Sequence, residues 1–251
     1  MTISPFDAMQ SAVDIVLTSP HETNKIAAAL FGTGPKGADF CVRAINHWPD
    51  IISAKIGRGT RIGNSSGTVH AEVSCILQAP LTEGASICIT DPFCPNCAKN
   101  IVEAGVKKIY IDHKGFDKDF FQRRSGHFHS MSMQVCEKAG VSVFELWRKD
   151  ERVVPIFESA PGRFISEDSP IYKEPIETPS DSILNDIIAS SFHRHQKRKF
   201  AIVFAKDANG KHFSLTARGH AVTGLTMEDP EDVKLIETPQ TKYSYFQEPV
   251  N

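Results

Sequence analysis

The sequence carries no excess of one charge: 28 Lys and Arg stand against 30 Asp and Glu, a formal net charge of -2. That balance leaves no global basic field, so long nucleic acid is not expected as a partner, although a small basic cluster can still hold one phosphate. No apolar run approaches the length of a membrane span, so no membrane partner is expected. The first twenty residues, MTISPFDAMQSAVDIVLTSP, lack a basic stretch followed by an apolar core and do not read as a secretory signal. Cysteines stand only at 41, 75, 88, 94, 97 and 136. Together these absences predict a cytoplasmic protein with reduced thiols. In such a setting a Cys-x-x-Cys pair binds metal or does redox work rather than forming a structural bridge.

What is present is an ordinary globular mixture, with 41% hydrophobic and 23% charged residues. A helical apolar spacing covers 5–17 and ends before Pro20. Strands are expected at 26–31 and 39–45, joined by the glycine-rich turn GTGPKG. Helix 69–77, strand 86–90, helix 95–104, strand 106–111, helix 131–139 and strand 141–146 follow. The order predicts an α/β fold, a three-layer αβα sandwich on a mixed five-strand sheet. Residues 151–180 are rich in proline, serine and charge and read as a linker or wrapping arm after a first domain at 1–150. Residues 181–251 echo the beginning. KIAAALFGTGPKGADFCVRAINH (25–47) lies over KFAIVFAKDANGKHFSLTARGH (199–220) with one single-residue shift. A degenerate, metal-free α/β partial repeat is expected there, with Phe246 near where a histidine ligand would recur.

The chemistry concentrates in GTVHAEVSCIL and FCPNCAKNIVEAG. The first places His70 and Glu72 at the start of a helix, and the second does the same for Cys94 and Cys97. Residues three apart are neighbours on a helix, so both thiolates can face one ion. Pro95 suits the first helical position, and the positive end of the helix dipole favours thiolates. One imidazole and two thiolates make three ligands to a tetrahedral ion, and that donor set points to zinc, Zn2+. No fourth Cys or His stands nearby in sequence, so the fourth position is read as open to water, the mark of a catalytic site. Glu72 is placed to take the proton of that water and return it. A closed structural zinc site would need Cys75 or Cys88 to fold close. Packing is the expected role of those two, and of Cys41 and Cys136.

HAE (70–72) with CPNCAKNIVEAGVKKIYI (94–111) resembles the cytidine and deoxycytidylate deaminase superfamily over roughly residues 1–147, and it is most similar to the deoxycytidylate deaminases. The resemblance implies hydrolytic deamination of a cytosine-type nucleotide or nucleoside, a CMP- or dCMP-like small molecule, with release of ammonia. A purine deaminase and a zinc-retaining binding module are the alternatives. It also implies a homo-oligomer such as a dimer. It assigns a substrate contact to Asn46, at the end of the second strand, and Ala71 of the HAE segment is counted with it. The family usually has proline before its first cysteine, whereas here Phe93 stands there and proline moves to Pro92. Beyond the resemblance, Arg58 and Arg61 in GRGTRIG are candidates for a phosphate, with Lys99, Arg123 and Arg124 weaker ones. Trp48 is a candidate either to stack on a base or to pack, and His127 and His129 are candidates for the pocket mouth.

Overall fold

The structure is a computed structural model that describes residues 3–58, 67–123, 125–160, 171–194, 200–237 and 244–247. Ser4 starts helix α1 (Pro5–Val16): its hydroxyl accepts from Asp7 N at 3.1 Å, and Pro5 occupies the first turn, where it has no bond to lose. The helix buries Ala8, Met9 and Ala12 along one stripe. Strands β1 (Ala27–Thr33) and β2 (Asp39–Ile45) form an antiparallel hairpin. Next come α2 (Asp50–Lys55), α3 (Ala71–Gln78), β3 (Ser86–Ile89), α4 (Pro95–Glu103) and β4 (Lys108–Asp112). Short helices α5 (His113–Phe116), α6 (Asp119–Gln122) and α7 (Ser125–His127) lead through a π-helical turn at Phe128–Ser132 into α8 (Met133–Ala139) and β5 (Ser142–Trp147).

The sheet order is β2-β1-β3-β4-β5-β6, where β6 is Arg152–Phe157. β3, β4 and β5 run parallel, joined by helical crossovers, while β1, β2 and β6 are antiparallel to their neighbours. Strand alternation splits β1 between two layers. Ala27, Ala29 and Phe31 share a core with Ala8, Met9 and Ala12 of α1, while α3, α4 and α8 cover the opposite face. The expected three-layer α/β sandwich is therefore present, but among the described residues the sheet has six strands, not five.

The extra strand falls in the segment read as irregular. β6 is an edge strand, mostly exposed and holding Pro155, so it offers neither an apolar run nor a clean alternation. Cys41 also departs from expectation. It lies on the outer edge strand β2 and is exposed rather than packed.

The chain divides into two compact units, the first spanning Met1–Ile165 and the second beginning at Ser166. In the second, β7 (Ile171–Pro175), α9 (Asp181–Arg194), β8 (Phe200–Lys206) and β9 (His212–Arg218) form a three-strand antiparallel sheet, order β7-β9-β8, with its helix. β10 (His220–Ala221), α10 (Pro230–Glu237) and β11 (Phe246–Gln247) follow, and β10 pairs with β11.

Candidate active site

Two helix N-termini meet at the C-terminal end of β3. His70 is the residue before α3, with extended backbone (φ -72°, ψ 151°). Its approach is set by an antiparallel bridge: His47 N donates to Val69 O at 3.1 Å and Val69 N to His47 O at 2.8 Å. Cys94 holds the same position before α4, also extended (φ -81°, ψ 164°), and Ala98 N donates back to its carbonyl at 2.9 Å. Because both ligands precede their helices, helical spacing does not dictate where their side chains point. This removes the difficulty that residues two apart, such as His70 and Glu72, do not share a helix face.

The donor atoms converge. His70 Nδ1 lies 3.1 Å from Cys97 Sγ and 3.7 Å from Cys94 Sγ. All three ligand atoms fall within 4.8 Å of one another. A tetrahedron built on ordinary zinc–sulfur and zinc–nitrogen bonds has edges of about 3.5–3.8 Å. The 3.7 Å separation matches such an edge and the 3.1 Å one is a few tenths of an ångström shorter, so the donor set suits zinc after a small outward shift of Cys97. Among the described residues no other histidine, cysteine or carboxylate completes this cluster. Cys75 and Cys88 bond elsewhere, to the carbonyls of Ala28 and Pro5 at 3.3 Å each. Burial pushes the Cys75 thiol up to about 12. His127 and His129 are exposed and stand outside the cluster.

Electrostatics of the pair and the carboxyl follow from this crowding. Cys94 falls well below the ordinary thiol range because Cys97 hydrogen-bonds its thiolate and His70 adds a second bond. Cys97 rises in turn, since it holds the proton against Cys94 and is buried. Glu72 is 2% exposed, and its Oε2 has no hydrogen-bond partner. Burial raises its pKa, with His70 opposing and Cys94 adding to the rise. A buried carboxyl oxygen without a partner is unusual in proteins and marks a place where a ligand atom belongs.

The loop after β3 is clamped from the other side. Asp91, 3% exposed, accepts from Lys118 Nζ at 2.7 Å and from Thr90 Oγ1 at 2.9 Å. Phe93 is buried, edge-on to Phe128 with centroids 5.5 Å apart, and its carbonyl accepts from Ser132 Oγ at 3.0 Å. The phenylalanine that replaces the usual proline thus anchors an aromatic cluster containing Phe116, Phe121 and Phe128.

The remaining candidates are placed less centrally. Ala71 is fully buried in the first turn of α3. Asn46 is buried at the end of β2, where its side chain binds Ser19, Asn24 and Ile26. Arg58 is exposed, its Nε 3.4 Å from Ser53 Oγ. Arg61 and Arg124 lie outside the described residues. Arg123 is exposed and bonded to the Asp119 carbonyl, and Lys99 is buried in α4. Trp48 is buried with His21 stacked on it. His21 was not singled out from sequence. The signal available was a histidine two and three residues before Thr23 and Asn24, whose backbone N–H groups can bond its ring.

The fold brings a His-Cys-Cys cluster that could hold a metal ion next to a buried carboxyl on an α/β sandwich. Residues 7–113 match the family described as "Cytidine and deoxycytidylate deaminase zinc-binding region". That matched region holds His70, Glu72, Cys94 and Cys97 and makes up less than half of the chain. The Aliivibrio fischeri protein "Uncharacterized deaminase in luxG 3'region" is 38% identical over 99 residues, 39% of this chain and 65% of that protein. "ComE operon protein 2" of Bacillus subtilis (strain 168) is 32% identical over 93 residues, 36% of this chain and 43% of that protein. The chain therefore spans less than two thirds of either relative. The crystal structure of dCMP deaminase from the cyanophage S-TIM5 in complex with dCMP and dUMP overlays with a TM-score of 0.38 at 21% identity, covering 55% of this chain and 93% of that one.

Proposed function

We propose that this chain catalyses zinc-dependent hydrolytic deamination of a cytosine-type nucleotide or nucleoside, exchanging the ring amine for a carbonyl oxygen and releasing ammonia. The observation that carries this reading is the buried, unpartnered Oε2 of Glu72 beside the His70, Cys94 and Cys97 donors. Zinc held by those three residues would supply Lewis acidity and bring the pKa of a bound water toward neutrality.

The protein's own groups do the rest. Glu72 takes the proton of the attacking water and passes it to the ring nitrogen beside the amine-bearing carbon. It then transfers the second proton to the departing amine, so one carboxyl serves as base and acid. A pKa raised by burial suits a group that must both accept and give. The Ala71 N–H, at the first position of α3, has no acceptor within its own helix and is assigned the base's carbonyl oxygen. Arg58 is assigned the phosphate, and Arg58→Ala is expected to narrow any preference for nucleotide over nucleoside. The test of the activity is ammonia release by zinc-loaded protein from cytosine, adenine and guanine compounds. Release from cytosine compounds supports the reading, and release only from purines overturns the substrate assignment.

We read residues 181–251 as a metal-free partial copy of the first unit. Four features support this. β1–β2 and β8–β9 are both hairpins of seven-residue strands. Their turns make equivalent bonds: Gly34 N to Ala38 O and Asp207 N to Lys211 O, then Gly37 N to Gly34 O and Gly210 N to Asp207 O. Gly37 and Gly210 both take positive φ, 78° and 82°, which an L side chain rarely adopts. Further on, His220 pairs with Gln247 as His47 pairs with Val69. In that register the ligand position falls on Glu248 rather than Phe246, and Glu248 lies outside the described residues.

A further inference from the structure

The loop between α1 and β1 holds one side chain in a fixed orientation beside the segment that leads to His70. His21 stacks on Trp48, with ring centroids 5.3 Å apart and planes at 19°. Trp48 follows His47, whose backbone pairs with Val69, the residue before the ligand His70. His21 and His70 are close enough to feel each other's charge: burial, Lys25 and His70 lower the His21 pKa, while Glu22 opposes them. The ring is therefore a neutral imidazole near neutral pH.

Its tautomer is set by its neighbours. His21 Nδ1 accepts from Asn24 N at 3.0 Å and, more distantly, from Thr23 N at 3.4 Å. An acceptor Nδ1 in a neutral ring puts the hydrogen on Nε2. Among the described residues no acceptor is found for Nε2–H.

Asn46 holds this arrangement. Its Oδ1 accepts from Ser19 Oγ at 2.7 Å and from Ile26 N at 2.9 Å, and its Nδ2 donates to Asn24 O at 2.8 Å. Oδ1 thus already faces two protein donors, Ile26 N and a Ser19 hydroxyl whose single hydrogen is shared with the Asn46 carbonyl at 2.9 Å, which turns it toward the protein rather than a substrate hydroxyl. Asn24, which Asn46 grips by its carbonyl, is the residue that donates to His21 Nδ1.

We infer that His21 contacts substrate, its Nε2–H donating to an acceptor oxygen of the sugar–phosphate part of a nucleoside or nucleotide, and that Asn46 is a positioning residue acting on His21 through Asn24. The inference rests on the deaminase reading above. In that reading the metal position takes the amine-bearing carbon, Glu72 the ring nitrogen, and Ala71 N–H the base carbonyl. A donor on the adjoining loop then meets the acceptors that remain, which are on sugar and phosphate.

The test is steady-state kinetics on dCMP, deoxycytidine and cytosine with wild type, His21→Phe and His21→Gln. Phenylalanine keeps the stack on Trp48 and removes the donor, and glutamine restores an N–H. His21→Phe is expected to raise KM for the nucleotide about 5- to 10-fold, the size of one hydrogen bond. We expect kcat to stay within about twofold, the free base to be unaffected and His21→Gln to recover part of the loss. A KM rise for dCMP alone places the oxygen on the phosphate, and a rise for deoxycytidine as well places it on the sugar. Asn46→Ala is expected to add no further KM rise in the His21→Phe background. An unchanged dCMP KM in His21→Phe, an equal rise for cytosine, or loss of zinc from that variant overturns the inference. A wild type that deaminates cytosine but neither nucleoside nor nucleotide overturns it and leaves the deaminase reading standing. A wild type that releases ammonia from nothing overturns both.

Discussion

Glu72 and Asp91 are both buried carboxyls within the same site, yet they have opposite surroundings. Glu72 has an oxygen with no protein donor, while Asp91 is held by Lys118 and Thr90. In the proposed reaction the first is the group used for chemistry, and the second is held by its neighbours. Glu72→Gln is expected to lower turnover by roughly 10²–10⁴-fold, the usual worth of a positioned acid–base group. Metal analysis of the same variant should show zinc content unchanged. For Asp91, burial raises the folded-state pKa, against the lowering by Lys118 and Thr90. Its stability contribution is thus fully present below the unfolded-state pKa and is lost as pH rises through the folded value. Lys118 limits that loss, because it partners the charge once it forms. Lys118→Met should therefore destabilise the protein at neutral pH by about 1 kcal/mol, a low figure because Lys118 is partly exposed and screened by water. Denaturant unfolding at several pH values checks the sign: the deficit should close as pH falls through the Asp91 pKa, and a constant deficit contradicts the assignment.

At the level of elements, α5 rests unusually tightly on the loop that delivers Cys94. A Cβ on Gly115 would lie 2.5 Å from Thr90 O and 2.8 Å from Asp91 Cα, closer than real contacts allow. Gly115→Ala is expected to cost about 1–3 kcal/mol by overpacking and to speed zinc loss to a chelator. Thermal melts and a metal-release time course measure the two effects. This contact also shows why some of the site was legible in sequence and some was not. His70, Cys94, Cys97 and Glu72 announce themselves through residue type and local spacing. So do α1 and β1 to β5, whose apolar patterns are strong and whose ends lie within about two residues of expectation. Gly115 on Thr90, Lys118 on Asp91 and Ser19 on Asn46 join residues about 25 apart in sequence, and nothing local encodes such pairings. β6 escaped because an exposed edge strand containing proline lacks the pattern by which strands are read. Phe93 was visible as a departure from the family, but its role needed Phe128 and Ser132 beside it.

At the scale of the molecule, the unit with the His-Cys-Cys cluster is followed by a unit without cysteine. All six cysteines lie at or before residue 136, inside the first unit. One zinc per 251-residue chain is therefore expected, and Cys94→Ser or Cys97→Ser should abolish it in metal analysis. A second equivalent of tightly held zinc that survives those substitutions would contradict the reading of residues 181–251 as metal-free. The central claim is that the His70–Cys94–Cys97 centre and Glu72 together deaminate a cytosine ring. Its most direct test is ammonia release from CMP and dCMP by protein verified to hold one zinc, run beside Glu72→Gln carrying the same metal. Stoichiometric ammonia and uracil nucleotide are expected from the wild type and almost none from the variant. A zinc-loaded wild type that yields no ammonia, or a Glu72→Gln protein as active as the wild type, would overturn the assignment of this chemistry to Glu72 and the three donors.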